Sequence, residues 1–175
     1  MTDVVAAYIA GFLDGDGSIM AQLVYRKDYK LGYQIRVSIV FYQKQSHQQI
    51  LFWLKEQLSH GYIRNRTDGM SEYTIVGMEQ VALILKQLVP QLRLKKQLAT
   101  DVLQIIAKHP KKMSAAKLVK LALLVDKTAT FNYSKKRTNT SEALVNYLKI
   151  NRLFPVETEG ASSINPEIGP STRGL

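Results

Sequence analysis

The hydrophobic pattern opens with one uninterrupted apolar run. From Val4 to Leu13 no residue carries a charge, and the stretch lies between Asp3 and the turn-forming series Asp14-Gly15-Asp16-Gly17. This predicts a helix over 3–14, with Asp3 as its N-cap and Gly15 and Gly17 ending it. A helix apolar almost all round has to be covered on every side. Its centre is small, with Ala6, Ala7, Ala10 and Gly11, so a second helix backbone can approach closely.

Two period-two stretches follow. In 18–26, Ile19, Ala21, Leu23 and Tyr25 alternate with Met20, Gln22, Val24 and Arg26. In 33–43, Ile35, Val37, Ile39 and Phe41 alternate with Gln34, Arg36, Ser38, Val40 and Tyr42. Such alternation predicts two long strands, the first set of each facing a core and the second set lining an exposed sheet surface. The polar segment 27–32 between them reads as a hairpin tip.

A helix carrying Ile50, Leu51, Trp53, Leu54 and Leu58 is predicted next. A second hairpin follows, with strands 62–66 and 72–76 joined through Thr67-Asp68-Gly69. Further helices are expected over 78–88, 95–108, 114–127 and 141–150. The order α-β-β-α-β-β-α followed by helices predicts an α+β domain over 1–153, with four strands in one antiparallel sheet. From 154 the chain turns to Glu, Ser, Gly and Pro, with three of the five prolines, and 154–175 is expected to be a flexible tail.

Composition narrows the function. The chain has 175 residues, 24 Lys+Arg against 14 Asp+Glu, and a formal net charge of +10. That excess points first to a polyanionic partner. There is no cysteine, which excludes disulfides and thiolate metal sites. The longest apolar run is far short of a membrane span, and it lacks the basic leader and cleavage site of a signal peptide. No membrane association is expected, and the protein is placed inside a cell or organelle.

Asp14-Gly15-Asp16-Gly17 is chemically suggestive in itself. Hard oxygen donors on a tight glycine-flanked turn suit Mg²⁺, and free carbonyls there can add ligands. Asp-Gly pairs also mark ordinary turns, and one such turn has too few carboxylates for two metals. The whole segment Ile9-Ala10-Gly11-Phe12-Leu13-Asp14-Gly15-Asp16-Gly17 resembles the LAGLIDADG signature at all nine positions. With the element order and length, residues 4–150 are similar to the short, single-motif homodimeric branch of the LAGLIDADG homing endonucleases. The nearest second copy, Leu121 to Ala129, has Thr128 where the second acid should stand and is rejected.

The resemblance implies a site-specific double-strand DNA endonuclease using Mg²⁺, with Mn²⁺ able to substitute. Asp16 would bind metal with the Gly15 carbonyl as a further ligand, and Asp14 would be structural. Gln43 and Lys95 would serve around the scissile phosphate. His47 stands where the branch often has a basic residue, which leaves its role open between a solvent-network group and a helix-surface histidine. A homodimer is implied, its interface drawn from Ala6, Ala7, Ile9, Ala10, Phe12 and Leu13. The family setting is an organellar intron, the chloroplast ahead of the mitochondrion. Open alternatives are a catalytically silent DNA- or RNA-binding relative, such as an intron-splicing maturase, and a regulator built on the same scaffold.

For recognition of double-stranded DNA, a strand such as 33–43 is about 36 Å long at roughly 3.3 Å per residue, close to one duplex turn. Base readout from the major groove is expected from Met20, Gln22, Val24, Arg26, Tyr29, Gln34, Arg36, Ser38, Val40, Arg64, Arg66, Glu72 and Thr74. Phosphate contacts are expected from Ser134, Lys135, Lys136, Arg137, Thr138 and Asn139, a segment resembling the family's backbone-clamping loop.

Overall fold

The computed structural model describes residues 1–131 and 137–154. The chain begins with α1 (Asp3–Asp16), continuing directly into β1 (Gly17–Tyr25) and, after the hairpin, β2 (Tyr33–Lys44). A single 3-10 turn over Gln45–His47 leads to α2 (Gln49–Leu58), then β3 (Tyr62–Asn65), β4 (Met70–Val76) and α3 (Met78–Leu88). Three more helices follow, α4 (Lys96–Ala107), α5 (Ala115–Thr128) and α6 (Ser141–Ile150). The expected αββαββα order with added helices is therefore present.

The strands form one antiparallel sheet in the order β1-β2-β4-β3. Gly17 lies opposite Phe41 and Tyr25 opposite Tyr33, while Val40 lies opposite Thr74 and Tyr62 opposite Thr74. Because successive side chains alternate faces, this register places Ile19, Ala21, Leu23, Ile35, Val37, Ile39, Phe41, Tyr73 and Ile75 on the helix-covered side, where all are buried. Ile9, Ala10 and Leu13 of α1 pack into the same core with Leu51, Leu54, Ile84, Leu85 and Leu88.

At α1 both boundaries differ from the sequence expectation. Thr2, not Asp3, caps α1, its hydroxyl accepting from Val5 N at 3.4 Å. The helix also runs to Asp16, and Gly17 follows in extended conformation. Asp14, Gly15 and Asp16 thus form the end of the helix rather than a loop. Gly17 packs so closely on Leu13 that an added Cβ would overlap it, which lets the strand leave the helix without a linker.

The β1–β2 hairpin is anchored from behind by α6. Tyr25, Tyr33 and Tyr147 meet edge to face at 5.3–5.6 Å between centroids. Gly32 has φ +69°, and a Cβ there would collide with the Tyr147 ring. Gly32→Ala is therefore expected to lower stability by about 1–2 kcal/mol from the left-handed backbone alone, plus the ring clash. Chemical denaturation should show Tyr147→Ala recovering the clash component but not the backbone component.

Candidate active site and nucleic-acid interface

The end of α1 places its two aspartates in different roles. The Asp14 carboxylate accepts three backbone N–H bonds from the loop before α4: Arg93 at 2.7 Å, Leu94 at 3.1 Å and Lys95 at 2.8 Å. Burial would raise its carboxyl, but these bonds, helped by the Lys95 charge, hold it below the ordinary carboxylate value. Lys95 Nζ in turn donates to the Asp14 carbonyl. Burial pulls the Lys95 ammonium below its usual value, opposed by the negative charges of Asp14 and Asp16. Asp14 therefore carries a structural load, and it delivers Lys95 to the end of α1.

Asp16 and Gly15 are exposed at that same end. The C-terminus of a helix presents unpaired carbonyls and the negative end of its dipole, so a carboxylate there adds to an existing cation-attracting field. Among the described residues no three acidic or histidine side chains cluster as a ready-made metal cage. One chain thus supplies a single free carboxylate with helix-end carbonyls, a donor set of the hard-oxygen kind that fits Mg²⁺ once a second copy contributes the same. Gln43 sits at the far end of β2, two residues past Phe41, the partner of Gly17, so it shares the helix-side parity and lies towards the end of α1. Its Oε1 accepts from Lys44 N at 2.9 Å. His47 is exposed in the following 3-10 turn.

The opposite sheet face carries the expected recognition residues in register. Val24 lies opposite Gln34, Gln22 opposite Arg36, Met20 opposite Ser38, and Arg64 opposite Glu72. The surface is less open than the alternation implied. Ser38, Val40 and Thr74 are buried, because they are short side chains in the two central strands, each flanked by a paired strand on both sides. Tyr42 reaches across to hydrogen-bond Ser18. These three form the floor of the face and are corrected from reading residues to supporting ones. Glu72 is also less available than expected, since Arg64 Nη2 binds it at 2.6 Å and Arg66 Nη1 lies 3.9 Å away. Arg66 falls beyond β3 and pairs with Asp68 at 2.7 Å, while Arg26 and Tyr29 occupy the first hairpin tip.

Of the expected phosphate-contacting segment, Ser134, Lys135 and Lys136 lie outside the described residues. Thr138 is exposed and Asn139 half-buried. Arg137 turns inward: Nη2 donates to Ala21 O at 3.0 Å and Nη1 to Val125 O at 3.1 Å, with Asp126 3.9 Å away. This corrects its assignment, for the guanidinium caps a carbonyl of the edge strand β1 and ties it to α5. Asp126 also accepts Ser141 N at 2.8 Å, capping α6. Asp14, Gly15, Met20, Gln22, Lys95 and Thr138 are among the residues lining one cleft of about 870 Å³ between the end of α1 and the outer edge of β1.

The interface expectation needs the largest correction. Ala6, Ile9, Ala10 and Leu13 are buried inside the chain's own core and cannot meet a partner. Ala7 and Phe12 alone of the six keep exposed surface. The outward stripe is instead Val4, Ala7, Tyr8, Gly11 and Gly15, with Val4 80% and Tyr8 54% exposed. An added Cβ at Gly11 or Gly15 would meet nothing within 4 Å. Tyr62, 47% exposed on the recognition face opposite Thr74, was also missed. The parity of Arg64 contained it, but only the charged members of that strand were selected.

Asp14→Asn replaces one acceptor oxygen with a donor facing backbone N–H groups. It is expected to cost about 1–3 kcal/mol, read as a lower denaturation midpoint, and to loosen Lys95 at the same time.

Residues 9–107 match the sequence profile of the LAGLIDADG endonuclease family. The chain is 43% identical over 143 residues to the DNA endonuclease I-CvuI of Chlorella vulgaris, covering 82% of this chain and 89% of that protein. It is 37% identical over 138 residues to the DNA endonuclease I-CreI of Chlamydomonas reinhardtii, covering 78% and 84%. The crystal structure of I-CvuI in complex with its target in the presence of calcium superposes with a TM-score of 0.83 at 40% identity, covering 87% of this chain and 97% of that one. By profile, identity and fold together, the chain belongs to the LAGLIDADG endonuclease family.

Proposed function

We propose that the protein is a site-specific double-strand DNA homing endonuclease that acts as a symmetric homodimer on a long pseudo-palindromic site. The observation that carries this reading is the end of α1, where an exposed Asp16 beside Lys95 terminates a helix whose outer stripe is apolar and unpartnered. Two copies packed along that stripe would bring two Asp16 carboxylates together at a two-fold axis. The small residues Ala7, Gly11 and Gly15 permit close approach.

The cofactor would be Mg²⁺, with Mn²⁺ able to replace it, held by Asp16 and the Gly15 carbonyl of each chain. When bound, the metal supplies water activation and charge neutralisation at the phosphate. The chain's own residues do the rest. Lys95, fixed through Asp14, places a positive charge beside the reacting phosphate, and Gln43 orients water there. His47 stands one helical turn on, as a solvent-facing group. The recognition face enters the major groove with Met20, Gln22, Arg36, Arg64 and Tyr62 foremost, while Thr138, with Lys135 and Lys136, meets phosphates. The relatives from Chlorella and Chlamydomonas fit an organellar setting, the chloroplast first. No described helix is long and apolar enough to cross a membrane.

Cleavage selection on randomised pseudo-palindromic duplexes in Mg²⁺ tests the activity. Wild type should cut both strands of one long site, chelation should stop it, and Asp16→Asn should lose at least about a thousandfold in rate while still binding. Binding without any cutting in Mg²⁺ or Mn²⁺ would instead favour the silent, maturase-like reading. Gly11→Arg tests the dimer, since the protomer has room for the side chain and a partner helix does not. Sedimentation should report a folded monomer, and double-strand cleavage should vanish.

A further inference from the structure

The two hairpin tips share a pattern that the roles above leave unused. Arg26-Lys27-Asp28 closes the first and Arg66-Thr67-Asp68 the second, and each aspartate turns back onto the arginine two residues before it. The two arginines are nevertheless held differently. Arg66 directs Nη2 to Asp68 at 2.7 Å while Nη1 lies 3.9 Å from Glu72, so the end of its guanidinium faces two carboxylates. Arg26 is gripped from the side, with Nε on Asp28 Oδ1 at 3.0 Å and Nη2 on Oδ2 at 2.9 Å. Its plane also rests over the Tyr29 ring, 5.5 Å from the centroid.

A guanidinium has five N–H donors in a fixed fork. The side-on grip consumes two of them at Arg26 and leaves the terminal pair, one on Nη1 and one on Nη2, parallel and free. That pair matches the O6 and N7 acceptors of guanine in the major groove. The carboxylate also cancels much of the long-range charge that would otherwise draw Arg26 to phosphates. The Arg26 hydrogen bond holds the Asp28 carboxyl below its ordinary value, so the partner stays ionised under working conditions. An exposed pair of this kind adds little to folding stability. Its effect is to order a long side chain before binding, which lowers the entropy lost on contact.

We infer that Asp28 is a positioning residue that, together with Tyr29, makes Arg26 a guanine reader at the outer edge of each half-site rather than a phosphate contact. This rests on the proposed placement of the sheet in the major groove.

The test uses the full chain, its selected target, and a panel carrying each base at every outer half-site position. Wild type should prefer guanine at one such position by about tenfold or more, as a good bidentate contact provides. Arg26→Ala should erase that preference. Asp28→Ala should reduce it severalfold without weakening binding, and should steepen the dependence of log affinity on log salt by about 0.9 per freed charge. Glu56→Gln, which removes an exposed negative charge on α2, controls for charge alone and should leave the base preference intact.

An unchanged guanine preference in Asp28→Ala overturns the inference. So does a cytosine preference that survives Arg26→Ala, since Asp28 would then read the base itself. Failure of wild type to bind or cut any duplex would bring down the endonuclease reading and this inference with it. Cutting with no guanine preference at the outer positions would sink the inference alone.

Discussion

The helix α1 carries an apolar surface that the chain's own core covers only in part. Nothing between Val4 and Leu13 is charged, so burial alone decides how the helix is rotated. The chain's own core takes Ile9, Ala10 and Leu13, and Val4, Ala7, Tyr8 and Gly11 are left facing outward. Fixing this rotation also fixes everything at the helix end, because β1 begins at Gly17 without a linker. The direction of the central hairpin, the position of Asp16 and the lie of the outer stripe are consequences of one packing choice. An exposed apolar stripe of this kind is the sort of surface that marks interaction sites.

The same helical geometry separates the two aspartates. Residues two apart on an α-helix are turned by about 200°, so Asp14 and Asp16 point to nearly opposite sides. The inward one meets the loop 93–95 and is consumed by three N–H bonds. The outward one is left without such bonds and is available for chemistry. Exchanging their roles would need a shift in the rotation of α1, which the buried Leu13 and Ile9 oppose. Lys95 is therefore held by the motif itself through Asp14, across 81 residues of sequence.

Period-two alternation let the strands and their faces be read in advance, since parity in a strand is a local property. The α+β order and the nine-residue motif were legible for the same reason. What failed depended on neighbours the sequence does not display. Ser38, Val40 and Thr74 have the correct parity, but their exposure is set by the place of their strands in the middle of the sheet. The outward stripe of α1 could not be separated from the core stripe because both are apolar and offer no contrast. Arg137 sits in a basic segment, which favours a phosphate contact on composition. Its true partner is the Ala21 carbonyl, 116 residues earlier, and only the fold brings that edge strand within reach.

Three of the four arginines on the recognition face and its tips are paired, and Arg36 is exposed with no ion pair among the described residues. Arg26, Arg64 and Arg66 each have a carboxylate partner within the face or its tips. Further positive charge of the chain is carried by exposed lysines such as Lys108, Lys111 and Lys112 around the α4–α5 connection. Non-specific affinity scales with the number of phosphates neutralised, and paired arginines contribute little to it. Discrimination depends on donors held in a defined geometry over base edges. Pairing an arginine in this way moves it from the first task to the second. A sheet with a packed floor and arginines held in fixed forks favours the second task over the first.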